Sequence, residues 1–112
     1  MFPFRRFRVE DESMRPTLEP GDYVLVNRWA YRTRVPSPGD LVVMEDPEVP
    51  TRFLVKRVSE TLGAREVRVT GDNEVASRDS RTFGPVARER IVGKVWLRRD
   101  VSAAQSHFSN RT

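Results

Sequence analysis

Short runs of apolar and β-branched residues alternate along the chain with clusters of turn-forming residues. The turn clusters are rich in Gly, Pro, Asp and Asn, and they occupy residues 19–22, 36–40, 45–50, 62–64 and 71–73. Such spacing is typical of strands in an all-β fold. The predicted strands between these turns span residues 22–28, 40–45, 52–60, 65–70 and 91–98. Because no stretch has the 3.6-residue period of a long amphipathic helix, we expect a single compact domain of antiparallel sheets with at most short helical turns.

The ends of the chain and one internal segment give less definite patterns. Residues 1–7, MFPFRRF, mix phenylalanine with arginine and are predicted to pack as an edge strand. Residues 85–91, PVARERI, are compatible with one helical turn. Residues 99–112 are small and polar, which predicts a flexible tail after a folded domain at residues 1–98.

The composition of the chain excludes several kinds of segment and site. No apolar run approaches the roughly 20 residues that span a bilayer, so no transmembrane helix is predicted, and the N-terminus lacks the apolar core of a secretory signal. The chain contains no cysteine, which excludes disulfides, thiolate metal sites and cysteine nucleophiles. We predict neither a metal nor any other cofactor.

The charge of the chain is strongly biased towards arginine. The net charge is +4, but basic and acidic residues are interleaved, which argues against a nucleic-acid partner. Lys56 and Lys94 are the only lysines among the 20 basic residues, so the other 18 are arginine. Since a guanidinium stays protonated, only these two side chains could supply a neutral amine.

Residues 12–26, ESMRPTLEPGDYVLV, place a serine directly before a predicted strand. Pro16 removes a backbone donor and disfavours helical geometry at Arg15, which predicts a stiff turn that presents the Ser13 hydroxyl. A serine hydroxyl needs a neighbouring base before it becomes a good nucleophile. The single histidine, His107, lies in the predicted tail and is a poor candidate for that base.

Lys56 is the better candidate. On the predicted strand RFLVKRVSE, alternation places Leu54, Lys56 and Val58 on one face. Burial on that face would lower the pKa of the amine and make it a base. The alternative is an edge-strand lysine with a solvated ammonium group, and the strand pattern by itself favours this alternative.

Four stretches, taken in order, resemble the bacterial type I signal peptidases and their Ser/Lys peptidase relatives, including the nickel-type superoxide dismutase maturation proteases. They are SMRPTL at 13–18, GDYVLV at 21–26, KRV at 56–58 and GDNEVASRDSRTFGPV at 71–86. The resemblance implies a signal-peptidase or LexA-like β fold. It also implies that Ser13 attacks a peptide carbonyl and that Lys56 accepts the hydroxyl proton.

The resemblance assigns supporting roles to residues in the last of these stretches. Ser77 matches a serine that orients the lysine amine, and Asp79 and Arg81 match a supporting ion pair. Because these last two residues are separated by one position on a segment predicted to be extended, they are expected to project to the same side. Gly71 and Asp72 are assigned to the turn, and Asn73 to structure.

The substrate is expected to be a precursor protein that adds to the sheet as an extended strand. Met14, Leu18 and Leu54 are the candidate walls for small side chains near the cut. The predicted absence of a transmembrane helix favours a soluble, cytoplasmic enzyme similar to the nickel superoxide dismutase maturation proteases. Such an enzyme removes a short leader, and nickel then binds the substrate protein.

One departure from the family pattern concerns the residue two before the nucleophile, which is often small. Here it is Asp11, and an ionised carboxylate cannot donate a hydrogen bond to an oxyanion. We therefore expect the Asp11 and Glu12 side chains to face solvent, with the Ser13 backbone N–H serving as the oxyanion donor.

Two other functions stay open at this point. One is signal-peptidase-like processing of exported proteins at a membrane surface, for which MFPFRRF would supply peripheral membrane contact. The other is a non-catalytic basic β-barrel that binds an acidic partner, in which Ser13 and Lys56 would be unrelated in space. A LexA-like repressor would need a DNA-binding domain for which the sequence has no room. The sequence does not determine the oligomeric state.

Overall fold

Within residues 3–75 and 78–99, which the computed structural model describes, the chain folds into a sheet of seven strands. The strands are β1 (Phe4–Arg8), β2 (Tyr23–Asn27), β3 (Leu41–Glu45), β4 (Phe53–Leu62), β5 (Glu66–Thr70), β6 (Val86–Ala87) and β7 (Ile91–Arg99). One short helix, α1 (Ser80–Phe83), and a 3₁₀ turn (Arg88–Arg90) complete the elements of these residues. The all-β prediction is confirmed.

The strand order across the sheet is β1-β2-β7-β3-β4-β5-β6, and every neighbouring pair is antiparallel. The sheet curls into a half-barrel. The last strand, β7, lies between β2 and β3 and thereby joins the N-terminal strands to the central ones. β4 pairs with β3 on one side and β5 on the other, so it lies in the interior of the sheet rather than at its edge.

Two clusters of buried side chains form the core, and alternation along the strands explains them. On β3, Val42 and Met44 belong to one cluster, together with Leu54 and Val58 of β4. Val43 of β3 belongs to the other cluster, with residues of β2 and of the segments that flank it. Since β3 contributes to both clusters, its three central residues are all buried. This double burial explains why LVVM reads as a continuous apolar run.

Several local expectations can now be compared with the structure. Phe4–Arg8 form an edge strand, because within the described part of the chain β1 pairs only with β2. Residues 85–91, which are compatible with one helical turn, contain a two-residue strand followed by a short 3₁₀ helix. The segment around residues 79–81 was expected to be extended, and this is wrong beyond Asp79. Asp79 caps α1, with its carboxylate accepting the Arg81 backbone N–H at 3.0 Å, a common way to begin a helix.

Among the described residues, no helix is long and apolar enough to cross a membrane. The tail predicted from residue 99 onward lies almost entirely outside the described residues, as does His107. The domain boundary near residue 98 therefore stays a prediction.

A substitution at Gly93 tests how closely β2 and β7 approach each other. A Cβ atom at this position would lie 2.3 Å from the backbone oxygen of Asn27 and 2.8 Å from Val26 Cγ1. Gly93→Ala should therefore lower the free energy of unfolding by at least about 2 kcal/mol, since the neighbouring backbone has to move. Urea denaturation would measure the change.

Gly63→Asn is the control for this substitution. Gly63 has φ +65° with open space around it, and asparagine tolerates that conformation. We expect the control to change the unfolding free energy by less than about 0.5 kcal/mol. Equal effects of the two substitutions would mean that the close approach of β2 and β7 does not constrain the fold.

Candidate active site

The Ser13 segment forms a compact turn between β1 and β2. The Arg15 N–H donates to the Glu12 carbonyl at 3.1 Å, and the Leu18 N–H donates to the Met14 carbonyl at 2.9 Å. The Arg15–Pro16 peptide bond is cis. Met14 and Leu18 are both buried in the core and fasten the turn to the sheet. Ser13 itself is buried, so the predicted nucleophile lies on an anchored turn.

The loop that follows β5 binds this turn directly. The Asn73 backbone N–H donates to the Ser13 carbonyl at 2.9 Å, and the Asn73 side-chain amide donates to the Glu12 carbonyl at 3.1 Å. The Thr17 hydroxyl donates to the Asp72 carboxylate. Two residues that sequence reasoning assigned to a turn or to structure, Asp72 and Asn73, thus connect distant parts of the predicted site.

Arg57 extends this connection to β4. Its Nε donates to Asp72 Oδ1 at 2.9 Å and its Nη2 to Asp72 Oδ2 at 2.8 Å. Arg57 is the residue directly after Lys56, so the strand that carries the predicted base is tied through Asp72 to the turn that carries the predicted nucleophile. The sequence signal for this arrangement was the KRV and GDN triplets, but their pairing required the tertiary structure.

Lys56 is almost completely buried, with 1% of its surface exposed. It lies between Leu54 and Val58 on one face of β4 and pairs across the ladder with Val42 of β3. The expectation from the strand pattern alone, a solvated lysine on an edge strand, is wrong. β4 is an interior strand, and a side chain on its core face has no path along the sheet surface to solvent.

Burial lowers the pKa of the Lys56 amine below its ordinary value, because the ammonium form loses hydration. The carboxylates of Asp11, Asp79 and Asp46 oppose this effect, with Asp11 the strongest of the three, and Arg78 adds to it. The net direction is downward, which favours the neutral amine that a general base requires.

Each of the three carboxylates that act on Lys56 has an arginine partner. Arg81 binds Asp79 through Nε at 2.9 Å and Nη2 at 2.8 Å, which is the ion pair expected from the sequence. Burial by itself would raise the pKa of Asp79, but hydrogen bonds from Arg81 and from the Gly71 N–H lower it to about 2. Arg78 pairs with Asp46. Arg52 lies 3.7 Å from Asp11.

Asp11 differs from expectation in one respect. Its side chain is 45% exposed, but Oδ1 accepts the Ser13 backbone N–H at 3.1 Å. The expectation that this N–H is available to an oxyanion is therefore wrong for the conformation seen here. A short carboxylate two residues before an N–H is well placed to cap it, as in an Asx turn. The neighbouring Glu12 is exposed, as expected, and pairs with Arg15 at 3.0 Å.

A small cleft lies beside Ser13. Its walls come from the end of β1, the Ser13 turn and the start of β4, and they are formed by Arg8, Val9, Glu10, Asp11, Ser13, Met14, Arg52, Phe53, Leu54 and Val55. The cavity volume is about 20 Å³, room for about one water molecule. Two of the three predicted wall residues, Met14 and Leu54, line it. The third, Leu18, lies in the core cluster around Val24 and Val43.

Ser77 lies outside the described residues, so its predicted contact with the lysine amine stays a prediction. Among the residues that the structure covers, no three His, Asp or Glu side chains are grouped as metal ligands.

The model of the family described as signal peptidase, peptidase S26 matches residues 1–65 and 59–99. The chain belongs to this family. The resemblance to signal peptidases, which rests on four stretches of the sequence, is therefore confirmed at the level of the family.

Individual relatives come from mitochondria and from bacteria. The mitochondrial ATP-independent inner membrane protease subunit 1b of Arabidopsis thaliana is 38% identical over 77% of this chain and 64% of its own length. The mitochondrial inner membrane protease subunit 2 of Danio rerio is 37% identical over 78% of this chain and 59% of its own length. Signal peptidase I of Pseudomonas aeruginosa is 31% identical over 79% of this chain and 33% of its own length. The chain thus spans less than two thirds of each of these relatives.

Lys56→Met tests the burial of the amine through protein stability. The folded-state pKa of Lys56 is lowered, and in the unfolded chain the pKa is about 10.4. Between these two values the unfolded state binds more protons, so the wild-type unfolding free energy should rise with pH through this window and level off above it. The methionine variant lacks this contribution and should be the more stable protein at neutral pH.

Urea unfolding of both proteins at a series of pH values would measure this difference. We expect Lys56→Met to be more stable than the wild type at neutral pH, and this difference to shrink as the pH approaches the pKa of lysine in the unfolded chain. An advantage that is the same at every pH, or a variant less stable than the wild type throughout, would contradict a desolvated amine.

Proposed function

We propose that this chain is a serine endopeptidase in which Ser13 is the nucleophile and neutral Lys56 is the general base. The observation that carries the proposal is the burial of Lys56 on the core face of β4, which lowers its pKa. Membership in the S26 family supports a peptidase. The hydrogen-bonded connection from the Ser13 turn through Asp72 to Arg57 supports a fixed relation between the two side chains.

In this mechanism Lys56 Nζ accepts the Ser13 hydroxyl proton while Oγ attacks the peptide carbonyl carbon. The tetrahedral intermediate then collapses, the C–N bond breaks, and the lysine ammonium gives its proton to the leaving amine. Water attacks the resulting Ser13 ester with Lys56 again as base, which releases the new carboxylate and restores the hydroxyl.

The oxyanion of each intermediate needs a hydrogen-bond donor, and the Ser13 backbone N–H is the donor that we assign. Because Asp11 accepts this N–H in the resting protein, the carboxylate has to turn away when substrate binds. Arg52, at 3.7 Å from Asp11 Oδ2, is placed to hold the displaced carboxylate.

For the substrate we propose a precursor protein whose N-terminal leader is cut while bound as an extended strand beside β1 and the Ser13 turn. The resemblance to nickel superoxide dismutase maturation proteases favours the precursor of that enzyme and a cytoplasmic reaction. The relatives named signal peptidase I and inner membrane protease favour a second class, exported proteins processed at a membrane surface.

Substitution of the two proposed catalytic residues tests the mechanism. Ser13→Ala and Lys56→Arg should each lower kcat/KM for a cleaved leader peptide by at least about a thousandfold, since the first removes the nucleophile and the second replaces a neutral base by a permanent cation. Peptides that represent a nickel superoxide dismutase leader and a secretory signal would be incubated with the protein, and products identified by mass spectrometry.

Lys94→Arg is the matched control, because Lys94 is partly exposed and pairs with Asp40 at 3.5 Å. It should retain wild-type turnover. Wild-type turnover by Lys56→Arg would exclude Lys56 as the base, and cleavage by Ser13→Ala would exclude Ser13 as the nucleophile.

Asp11 variants test the assignment of the oxyanion donor. Asp11→Ala removes both the acceptor and the charge, so we expect kcat to rise by about tenfold as the N–H becomes available, on the scale of one hydrogen bond to a charged group. Asp11→Asn keeps an acceptor and should give a smaller increase. A fall in kcat for both variants, with thermal stability unchanged, would show instead that Asp11 assists catalysis.

A further inference from the structure

Asp46, the residue directly after β3, is a buried carboxylate outside the residues that sequence reasoning selected. Its side chain is fully buried. Its Oδ1 accepts the Glu48 N–H at 2.8 Å and the Val49 N–H at 3.3 Å, so it shapes the loop between β3 and β4. Its own backbone N–H donates to the Arg52 carbonyl at 2.9 Å and continues the ladder.

This position places Asp46 on the same face of the sheet as Lys56. Val42 pairs with Lys56 and Met44 pairs with Leu54 across β3 and β4. Since side chains alternate along a strand, Val42, Met44 and Asp46 share the face that carries Lys56. An unpaired carboxylate on this face would stabilise the ammonium form of the lysine, which is the wrong form for a base.

Arg78 is the partner that prevents this. Its guanidinium binds both oxygens of Asp46 and also reaches Glu48. The guanidinium carbon lies 5.7 Å from the centre of the Phe83 ring, which packs on the core. Arg78 immediately precedes Asp79, so the same contacts fasten the start of the segment that carries the Asp79–Arg81 pair to the β3–β4 loop.

We propose that Arg78 is a positioning residue of the peptidase site, which fastens the 78–83 segment to the β3–β4 loop and neutralises Asp46 on the Lys56 face. The inference rests on the proposed function, because its purpose is to keep Lys56 available as a base. The charged groups that act on Lys56 are Asp11 before the Ser13 turn, Asp46 after β3, and Arg78 and Asp79 before α1. Arg81 neutralises Asp79, and Arg78 does the same for Asp46.

Because Arg78 and Asp46 carry opposite charges, removing one or the other should shift the Lys56 titration in opposite directions. In Arg78→Gln, Asp46 loses its partner, so the Lys56 amine should hold its proton to higher pH, by about one pH unit. In Asp46→Asn, the Arg78 charge is left uncompensated by Asp46 and the Lys56 titration should move to lower pH. The asparagine oxygen still accepts the Glu48 and Val49 N–H groups, so the loop cap is retained. The double variant should titrate close to the wild type.

NMR titration of the Lys56 side chain in the full chain measures these shifts without any substrate. If a leader peptide is cleaved, the acidic limb of the kcat/KM profile should shift together with the Lys56 titration. At the acidic end of the profile, the kcat/KM of Arg78→Gln should be about tenfold lower than that of the wild type, and this difference should disappear at higher pH. Arg78→Lys keeps the charge and should restore the wild-type limb at least in part. Arg68→Gln, which breaks an exposed pair with Glu60 on the β4–β5 surface, is the control and should leave Lys56 unchanged.

The outcomes separate this inference from the proposed function. Shifts of opposite sign that cancel in the double variant support the role of Arg78, whether or not a peptide is cleaved. A Lys56 titration that is the same in all variants overturns it, even if Ser13 and Lys56 prove essential for cleavage. A loss of activity in Arg78→Gln that is equal at every pH, with the Lys56 titration unchanged, would show a purely structural role and also overturns it.

Discussion

The burial of one primary amine on the core face of an interior strand is the constraint around which this site is organised. An ammonium group in an apolar cluster is strongly disfavoured, so Lys56 can remain there only with a lowered pKa or with compensating partners. The cluster of Val42, Met44, Leu54 and Val58 supplies the apolar surroundings. Burial lowers the pKa of the amine, and this favours the neutral form that the proposed general base requires.

The carboxylates near this amine would cancel the effect of burial if they were unpaired. In the structure each of them is bound to an arginine, in the pairs Asp46–Arg78, Asp79–Arg81 and Asp11–Arg52. The preponderance of arginine over lysine in the chain fits this use, because a planar guanidinium binds both oxygens of a carboxylate. Asp46 and Asp79 are buried, whereas the Asp11 side chain is half-exposed. Asp11 is therefore the carboxylate that can move most easily.

The Ser13 turn depends on a different kind of support. Its backbone is held by the loop after β5, and the Arg57–Asp72 pair connects that loop to the strand of Lys56. A chain of hydrogen bonds therefore runs from the turn to the strand without passing through the two proposed catalytic side chains. In the same turn Asp11 accepts the Ser13 N–H, so the structure holds the proposed nucleophile in a braced turn while the proposed oxyanion donor is occupied.

The sequence by itself determined the positions of the strands other than β6, the edge position of the N-terminal segment, the family, and the face of β4 on which Lys56 lies, because these follow from local alternation, turn residues and ordered motifs. Only the tertiary structure decided that β4 is an interior strand, because this depends on its pairing with both β3 and β5. It also decided that Asp46 meets Arg78, that Asp72 meets Arg57 and Thr17, and that Asp11 turns back onto Ser13. Most of these contacts join residues far apart in the chain, and no local pattern records which distant charges the folded sheet brings together.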